Sequence, residues 1–186
     1  MSEASYTIEL ATERHVRAIP GIEQAAATMY SEDDLPPELR YLVTDKETLD
    51  EAQRQNRLWA ALDDQRNPVG FALARILGRF THLEEMAVHP DHGRQGIGSR
   101  LLCAVTEWAR DGGYPGITLI TFRHPLWNAP FYERHGFIQL DERDSSANLR
   151  DLLREEAEAG LEPRNRVAML YDFNGGSGLA GADRPA

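Results

Sequence analysis

Apolar residues recur along the chain with two different periods, and their succession predicts a mixed α/β protein. Runs that alternate between apolar and polar residues, or that are rich in β-branched residues, predict strands. Stretches in which apolar residues recur every three to four positions predict helices. The predicted strands span 6–10, 57–62, 69–77, 80–88, 116–122, 137–140 and 166–173, and the predicted helices span 18–30, 44–55, 99–110, 128–135 and 145–159. Because strands and helices are interspersed, we expect a sheet with helices packed against it.

Turn-forming residues separate these elements. Residues 31–37, SEDDLPP, predict a loop because two consecutive prolines block a helix. Residues 63–68, DDQRNP, predict a tight connection between two antiparallel strands. Thr44 and Glu47 have the spacing of a capping box, which predicts a helix that starts at 44.

The length of 186 residues fits a single domain. Residues 175–186, GGSGLAGADRPA, are mostly glycine and small residues without a periodic apolar face, so we expect a flexible tail. The predicted domain therefore spans residues 1–174. A chain of this length buries enough surface to fold without a disulfide or a structural metal.

The net charge and the sequence composition exclude several classes of partner and indicate a cellular location. Twenty Lys and Arg residues against 30 Asp and Glu residues give a net charge of −10, which argues against a nucleic-acid partner. The charge suits a cationic partner such as an amine, although it also serves solubility. No apolar run reaches the length of a membrane span, and MSEASYTIEL lacks a secretion-signal pattern, so we expect no membrane partner and a cytoplasmic location. Cys103 is the only cysteine, so an internal disulfide is excluded. We expect its side chain on the buried face of the predicted helix 99–110.

The most informative segment is MAVHPDHGRQGIGSRLL, residues 86–102. A predicted strand ends at Val88, and a turn containing Gly93, Gly96 and Gly98 leads into a helix. Successive backbone N–H groups at such a turn converge on one point, where the helix dipole adds positive charge. The turn therefore predicts an anion site, most naturally for phosphate. Glycine at 96 and 98 permits positive φ and a close approach of the ligand to the backbone.

Two familiar nucleotide motifs do not fit this turn, and a plain strand–helix connection is the alternative. The dinucleotide fingerprint requires glycine where this chain has Leu101, and a P-loop requires a lysine that is absent. Arg94 and Arg100 are candidates to add positive charge. His89 and His92 have the spacing of metal ligands, but no cysteine or carboxylate set completes a site, so we expect no metal.

The sequence AVHPDHGRQGIGSRLL, followed about 30 residues later by NAPFYERHGF, resembles the GNAT N-acetyltransferase superfamily. The resemblance covers roughly residues 58–141. It implies a central mixed, mostly antiparallel seven-stranded sheet, splayed between the fourth and fifth strands, with helices on both faces. It also implies that acetyl-CoA is the acetyl donor. This chain departs from the family pattern at its first position, where Gly93 replaces glutamine or arginine.

The resemblance assigns the donor-binding positions. The pyrophosphate would contact the backbone amides of the turn, and the pantetheine arm would pair with the end of the fourth predicted strand like an added strand. The implied donor-binding residues are Met86, Ala87, Val88, Gly93, Arg94, Gln95, Gly96, Ile97, Gly98, Ser99, Asn128 and Tyr132.

Acetylation of an amine requires a base that deprotonates the ammonium group and favours an acid that protonates the leaving thiolate. On an ideal strand Phe80, His82, Glu84, Met86 and Val88 share one face. The resembling family often carries its base at the positions of His82 and Glu84, so Glu84 is the first candidate and His82 the second. Glu85 would face the other way unless a bulge intervenes. The alternative is that these carboxylates are exposed strand charges or ion-pair partners.

The resemblance implies that Tyr132, in FYERHGF, is the acid that protonates the thiolate. Family members often carry an asparagine seven residues before this tyrosine, where this chain has Pro125. Asn128 instead begins the predicted helix, and its side chain either caps that helix or contacts the donor.

These observations lead to one predicted function and two alternatives. The prediction is direct acetyl transfer from acetyl-CoA to the primary amine of a small molecule. The alternatives are acetylation of a protein or peptide amine and a non-catalytic acetyl-CoA-binding module. Dimers are common among resembling proteins, so a homodimer is allowed.

Overall fold

The computed structural model describes residues 5–175. Within this range the strands are β1 Thr7–Leu10, β2 Leu58–Leu62, β3 Pro68–Leu77, β4 Phe80–Val88, β5 Gly116–Phe122, β6 Ile138–Gln139 and β7 Arg166–Asp172. The α-helices are α1 Glu13–Val16, α2 Ile19–Ala27, α3 Lys46–Arg54, α4 Ile97–Asp111, α5 Ala129–Arg134 and α6 Ala147–Glu158. The predicted tail lies outside the described residues except for Gly175, and the predicted domain boundaries stay predictions.

The strands form one seven-stranded sheet in the order β1-β2-β3-β4-β5-β7-β6. Neighbouring strands β1, β2 and β3 are antiparallel, as are β5, β7 and β6. Strand β4 is parallel to β5, so the sheet is mixed. The predicted mixed, mostly antiparallel sheet is confirmed.

The chain divides into two compact units, each with its own core. The first comprises the described residues up to Arg75, together with Leu83–Trp108. Its core joins α1, α2 and α3 to one face of β2 and β3, through Ala11, Val16, Ile19, Ile22, Leu49, Ala52, Leu58, Ala60, Leu62, Phe71 and Leu73. On β2 the alternate residue Trp59 faces the other way and contacts Trp108 of α4, with ring centroids 5.8 Å apart. Helices therefore cover both faces of this part of the sheet.

The second unit comprises Ile76–His82 and, from Ala109 onward, the rest of the described residues. Its core packs α6 against β7 and includes Phe80, Leu140, Leu149, Ala168 and Leu170. The neighbouring residue Tyr171 points to the opposite face and contacts Phe137, which in turn contacts Tyr132 of α5. Helices α5 and α6 thus cover opposite faces of β7. Among the described residues, no helix is long and apolar enough to cross a membrane.

The predicted capping box at Thr44 is wrong. The N-cap of α3 is Asp45, whose carboxylate accepts a hydrogen bond of 2.9 Å from the Thr48 amide. The Thr44 hydroxyl instead donates to the Glu23 carboxylate of α2 at 2.7 Å, a contact 21 residues away in sequence. Burial raises the pKa of Glu23, while the hydrogen bonds from Thr44 act in the opposite direction.

The prediction that Cys103 lies in the core is also wrong, because Cys103 is exposed. The buried residues of α4 include Leu101, Leu102, Val105 and Ala109, and Cys103 lies off the face that they form. Its Sγ is 3.5 Å from the carboxylate of Glu107, one helical turn further on.

Replacing Gly116 by alanine is expected to lower the free energy of unfolding by about 2 kcal/mol. A Cβ at Gly116 would lie 2.3 Å from the carbonyl oxygen of Tyr171, so the β5–β7 pair would have to move apart. Urea unfolding followed by tryptophan fluorescence measures this loss. Gly21→Ala in α2 is the control, since no atom lies within 4 Å of its added Cβ. Equal stability of the Gly116 variant and the parent protein would contradict this account.

The stability of the first unit is expected to depend on pH through His15. Its imidazole is buried, and its Nδ1 accepts the Thr12 N–H at 3.2 Å. Burial lowers the pKa of His15, the Glu9 carboxylate opposes this effect, and Arg66 adds to it. As pH falls below 6.5, the unfolded chain binds a proton before the folded one, so stability is lost.

The corresponding measurement compares the unfolding free energy at about pH 7.5 and about pH 5.5. His15→Gln keeps a hydrogen-bond acceptor and does not titrate, while the other histidines are common to both proteins. The parent protein should lose more stability than this variant over that interval. Equal losses would show that His15 does not contribute to the pH dependence.

Candidate active site

The glycine-rich turn connects β4 to α4 in the first unit. After β4, a short 3-10 turn spans Pro90–His92, and α4 begins at Ile97. Gly96 has φ +76°, and no atom lies within 4 Å of a Cβ placed there, so glycine is required by the backbone conformation. Arg94 also has positive φ, at +61°. The expectation of positive φ at Gly98 is wrong, because Gly98 lies in the first turn of α4.

The start of α4 leaves backbone N–H donors outside the hydrogen bonds of the helix. The Arg100 N–H donates to the Gly96 carbonyl at 3.1 Å, so the N–H groups of Ile97 and Gly98 precede the first hydrogen bond of the helix. The helix dipole adds partial positive charge at the same place. Because α4 is 15 residues long, this end has the donors and the dipole that an anion site requires.

The two arginines of the turn are placed differently. Arg94 is exposed beside the turn. Arg100 donates to the Tyr6 carbonyl at 2.7 Å, so it ties the turn to the residue preceding β1. The Tyr6 hydroxyl also lies 3.1 Å from Nδ1 of His92. Arg94 therefore stays a candidate for the expected added charge, whereas Arg100 holds the turn in place.

The end of β4 approaches β3 closely. The His89 N–H donates to the Val69 carbonyl at 2.8 Å. A Cβ at Gly70 would lie 3.0 Å from the Ala87 carbonyl oxygen and 3.2 Å from Cγ2 of Val88. The Met86 N–H donates to the carboxylate of Glu85 at 3.1 Å, so this donor is turned toward a side chain and away from the neighbouring strand backbone.

Contacts at the end of β4 reveal a bulge. The Glu84 carboxylate lies 3.5 Å from Nε of Arg75 on β3, and Arg75 shares the face of Leu73. Ala87 packs against the core cluster that contains Leu73, so Glu84 and Ala87 lie on one face although they are three residues apart. A regular strand would place them on opposite faces, and one extra residue between them accounts for the difference.

The bulge corrects the predicted face of the fourth strand. Val88 follows Ala87 and points to the opposite side, toward Gly70 and Ala61. The prediction that Val88 shares a face with Glu84 is therefore wrong. Two-residue alternation holds only while the strand stays regular.

Glu84 is the more accessible of the two base candidates. Its side chain is 32% exposed, and its ion-pair partner is the Arg75 guanidinium. Arg75 was not among the predicted site residues, although it is a single charged residue in the otherwise apolar strand PVGFALARIL, which is a signal for function. Solvent contact allows Glu84 to exchange protons through water, as the predicted base requires.

His82 lies in the second unit and is buried, with 4% exposure. Its Nδ1 is 3.0 Å from the hydroxyl of Thr118 on β5. This bond holds the imidazole within the sheet, so His82 has a structural role in addition to any role in proton transfer.

Tyr132 is fixed by its neighbours in the second unit. Its ring is 7% exposed and contacts Phe131 and Phe137, with centroids 5.1 Å and 5.5 Å away. The Tyr132 N–H donates to the Asn128 carbonyl at 3.1 Å, and α5 ends before Gly136, which has φ +90°. The phenol is therefore held on a rigid element, as a positioned acid requires.

Asn128 does not cap α5 with its side chain, so that alternative is wrong. Its Nδ2 donates to the Thr121 hydroxyl at 2.8 Å, while Oδ1 is buried without a hydrogen-bond partner among the described residues. A buried acceptor without a partner costs about 1–3 kcal/mol. A ligand N–H at this position would remove that cost. No group of three His, Cys, Asp or Glu residues in the described range could hold a metal ion.

Known proteins resemble this chain in sequence and in fold. The chain is similar to an uncharacterized N-acetyltransferase of Bacillus subtilis strain 168, YjcF, with 28% identity over 99 residues, which is 53% of this chain and 68% of that protein. The fold of this chain is similar to that of the PaiA N-acetyltransferase of Thermoplasma acidophilum, which was solved with coenzyme A. The TM-score between the two structures is 0.63 at 16% identity, over 91% of this chain and 99% of the other.

The fold is also similar to that of the ribosomal-protein-S18-alanine N-acetyltransferase of Escherichia coli. The TM-score is 0.64 at 18% identity, over 98% of this chain and all of the other. At 16% and 18% identity, these two solved structures show likeness of fold alone. The model of the acetyltransferase (GNAT) family matches residues 20–137, more than half of the chain. The protein therefore belongs to the GNAT family of acetyltransferases.

Proposed function

We propose that the protein transfers an acetyl group from acetyl-CoA directly to the primary amine of a small molecule. The observation that carries this proposal lies in the first unit. A strand that bears the solvent-accessible carboxylate of Glu84 leads directly into a turn whose N–H donors precede the first hydrogen bond of α4. The carboxylate suits an ammonium group, and the turn suits a diphosphate.

The donor would be held mainly by backbone groups. The N–H groups of residues 93–99 would bind the pyrophosphate, and Arg94 would add charge. The edge at Met86, Ala87 and Val88 would pair with the pantetheine arm, whose carbonyl would replace Glu85 as the acceptor for the Met86 N–H. In the second unit, Oδ1 of Asn128 has the polarity to accept a pantetheine N–H.

The chemistry requires one proton to leave the acceptor and one to reach the thiolate. Glu84 would take the ammonium proton through water. The amine nitrogen would then attack the thioester carbon, and the carbon–sulfur bond would break. The Tyr132 hydroxyl would protonate the departing thiolate and regain a proton from solvent. His82 is the second candidate for the base.

A protein or peptide amine is the second candidate for the acceptor. The Escherichia coli relative is named for acetylation of a protein alanine, and a protein or peptide amine would use the same groups. The net charge of −10 favours a cationic acceptor of either class.

Two measurements test the proposal. Calorimetry with coenzyme A should show saturable binding. Acetyl-CoA should then release thiol in the presence of an acceptor from a panel of polyamines, amino acids, aminoglycosides and short peptides. Cys103→Ser is the protein for this assay, because the exposed thiol of Cys103 would itself react with a thiol reagent.

The outcomes separate the alternatives. Absence of coenzyme A binding would refute the proposal. Binding without thiol release from any acceptor would favour a non-catalytic module. Release with peptides alone would favour the protein acceptor.

A further inference from the structure

Arg75 is placed beside Glu84 but has no role in the chemistry described above. It lies on β3, in a strand that is otherwise apolar, and its side chain is 33% exposed. Its Nε is 3.5 Å from the Glu84 carboxylate, yet this buried nitrogen has no hydrogen-bond partner within residues 5–175. A guanidinium group carries five N–H donors in a rigid fork that matches a carboxylate.

Stability alone does not account for this arginine. Partly exposed ion pairs stabilise proteins little, and a buried donor without a partner is unfavourable. An apolar residue at position 75 would stabilise β3 at least as well as this arginine. The buried Nε of Arg75, which lacks a hydrogen bond among the described residues, is suited to an anionic group that enters from outside the chain.

We propose that Arg75 binds a carboxylate of the acceptor, so that the acceptor is an amine that also bears a carboxylate, such as an amino acid. This inference rests on the proposed acetyltransferase function. Arg75 and Glu84 lie side by side on neighbouring strands with opposite charges. An α-amino acid presents a carboxylate and an ammonium group on adjacent atoms, so one molecule can engage both side chains.

Binding of such an acceptor would also prepare the base. In the unliganded protein the Glu84 carboxylate is paired with Arg75. The acceptor carboxylate would replace Glu84 as the partner of Arg75, because it can align with the guanidinium fork. Glu84 would then be released toward the ammonium group from which it takes a proton. An amine without a carboxylate would leave Glu84 paired with Arg75.

The test compares amino acids with their primary amides as acceptors at saturating acetyl-CoA. Each pair has the same ammonium group, and only the acid has the carboxylate. For the parent protein we expect kcat/KM to be at least about tenfold higher with the acid than with the amide. A site that binds a carboxylate leaves its own charged group unpaired when the ligand lacks that carboxylate. In Arg75→Gln this ratio should fall toward one, while the Kd for coenzyme A stays the same.

Arg17→Gln is the matched control. Arg17 also pairs with a glutamate, Glu13, at 3.8 Å, but on an exposed surface. This variant should retain the preference for the acid.

Failure of the inference is distinct from failure of the proposed function. If amides or simple amines are acetylated as well as amino acids, or if no amino acid is acetylated although coenzyme A binds, the inference is overturned. Absence of coenzyme A binding would instead refute the function itself. The acid-to-amide ratio of the unaltered protein decides the matter even if Arg75→Gln fails to fold.

Discussion

Tyr132→Phe is expected to lower kcat by about 100-fold, since loss of a positioned general acid typically costs at least that much. The Kd for coenzyme A should change little, because phenylalanine retains the ring contacts with Phe131 and Phe137. Steady-state thiol release gives kcat, and calorimetry with coenzyme A gives the Kd.

The control for this variant is Tyr41→Phe, which removes a hydroxyl from a side chain that is 77% exposed. Urea unfolding of both variants separates a loss of catalysis from a loss of structure. An unchanged kcat in Tyr132→Phe would show that another group, or solvent, protonates the thiolate.

Glu84→Gln is expected to lower kcat/KM by about 100-fold at neutral pH, because glutamine cannot accept the ammonium proton. Part of the activity should return at alkaline pH, where more of the acceptor is already the free amine. The measurement is the pH profile of kcat/KM for the variant and the parent protein. Glu107→Gln on the exposed side of α4 is the control.

His82→Gln distinguishes the two base candidates. If Glu84 is the base, the His82 variant should keep the alkaline and neutral limbs of the parent pH profile. A large loss in His82→Gln together with a small loss in Glu84→Gln would reverse the assignment. His82 is hydrogen-bonded to Thr118 inside the sheet. The unfolding free energy of the His82→Gln variant must therefore be measured together with its activity.

The strand–turn–helix connection around the glycine-rich turn was the feature that could be predicted best. A proline, three glycines and a following amphipathic segment determine a strand–turn–helix connection through local backbone sterics. The predicted bounds 80–88 and 116–122 match β4 and β5 in full. Buried β-branched runs between turn residues are signals that do not depend on distant partners.

The missed features each depend on a partner far along the chain or on a short element. Helix α1 has only four residues and presents no repeating apolar face. Thr44 has the spacing of a cap, but its hydroxyl donates to the half-buried carboxylate of Glu23, and Asp45 caps α3 instead. Two oxygen acceptors competed for the start of the same helix, and tertiary contacts decided between them.

The order of apolar and polar residues determined the mixed α/β layout, the glycine turn and the placement of Glu84 on the fourth strand. The choice of Tyr132 came from the resemblance to the GNAT family. Tertiary structure decided which of these groups meet other side chains. It paired Glu84 with Arg75, introduced the bulge before Ala87, and left Oδ1 of Asn128 without a hydrogen-bond partner among the described residues. The physical reason is that periodicity reports the direction of a side chain from its own backbone, whereas strand register and burial determine what that side chain contacts.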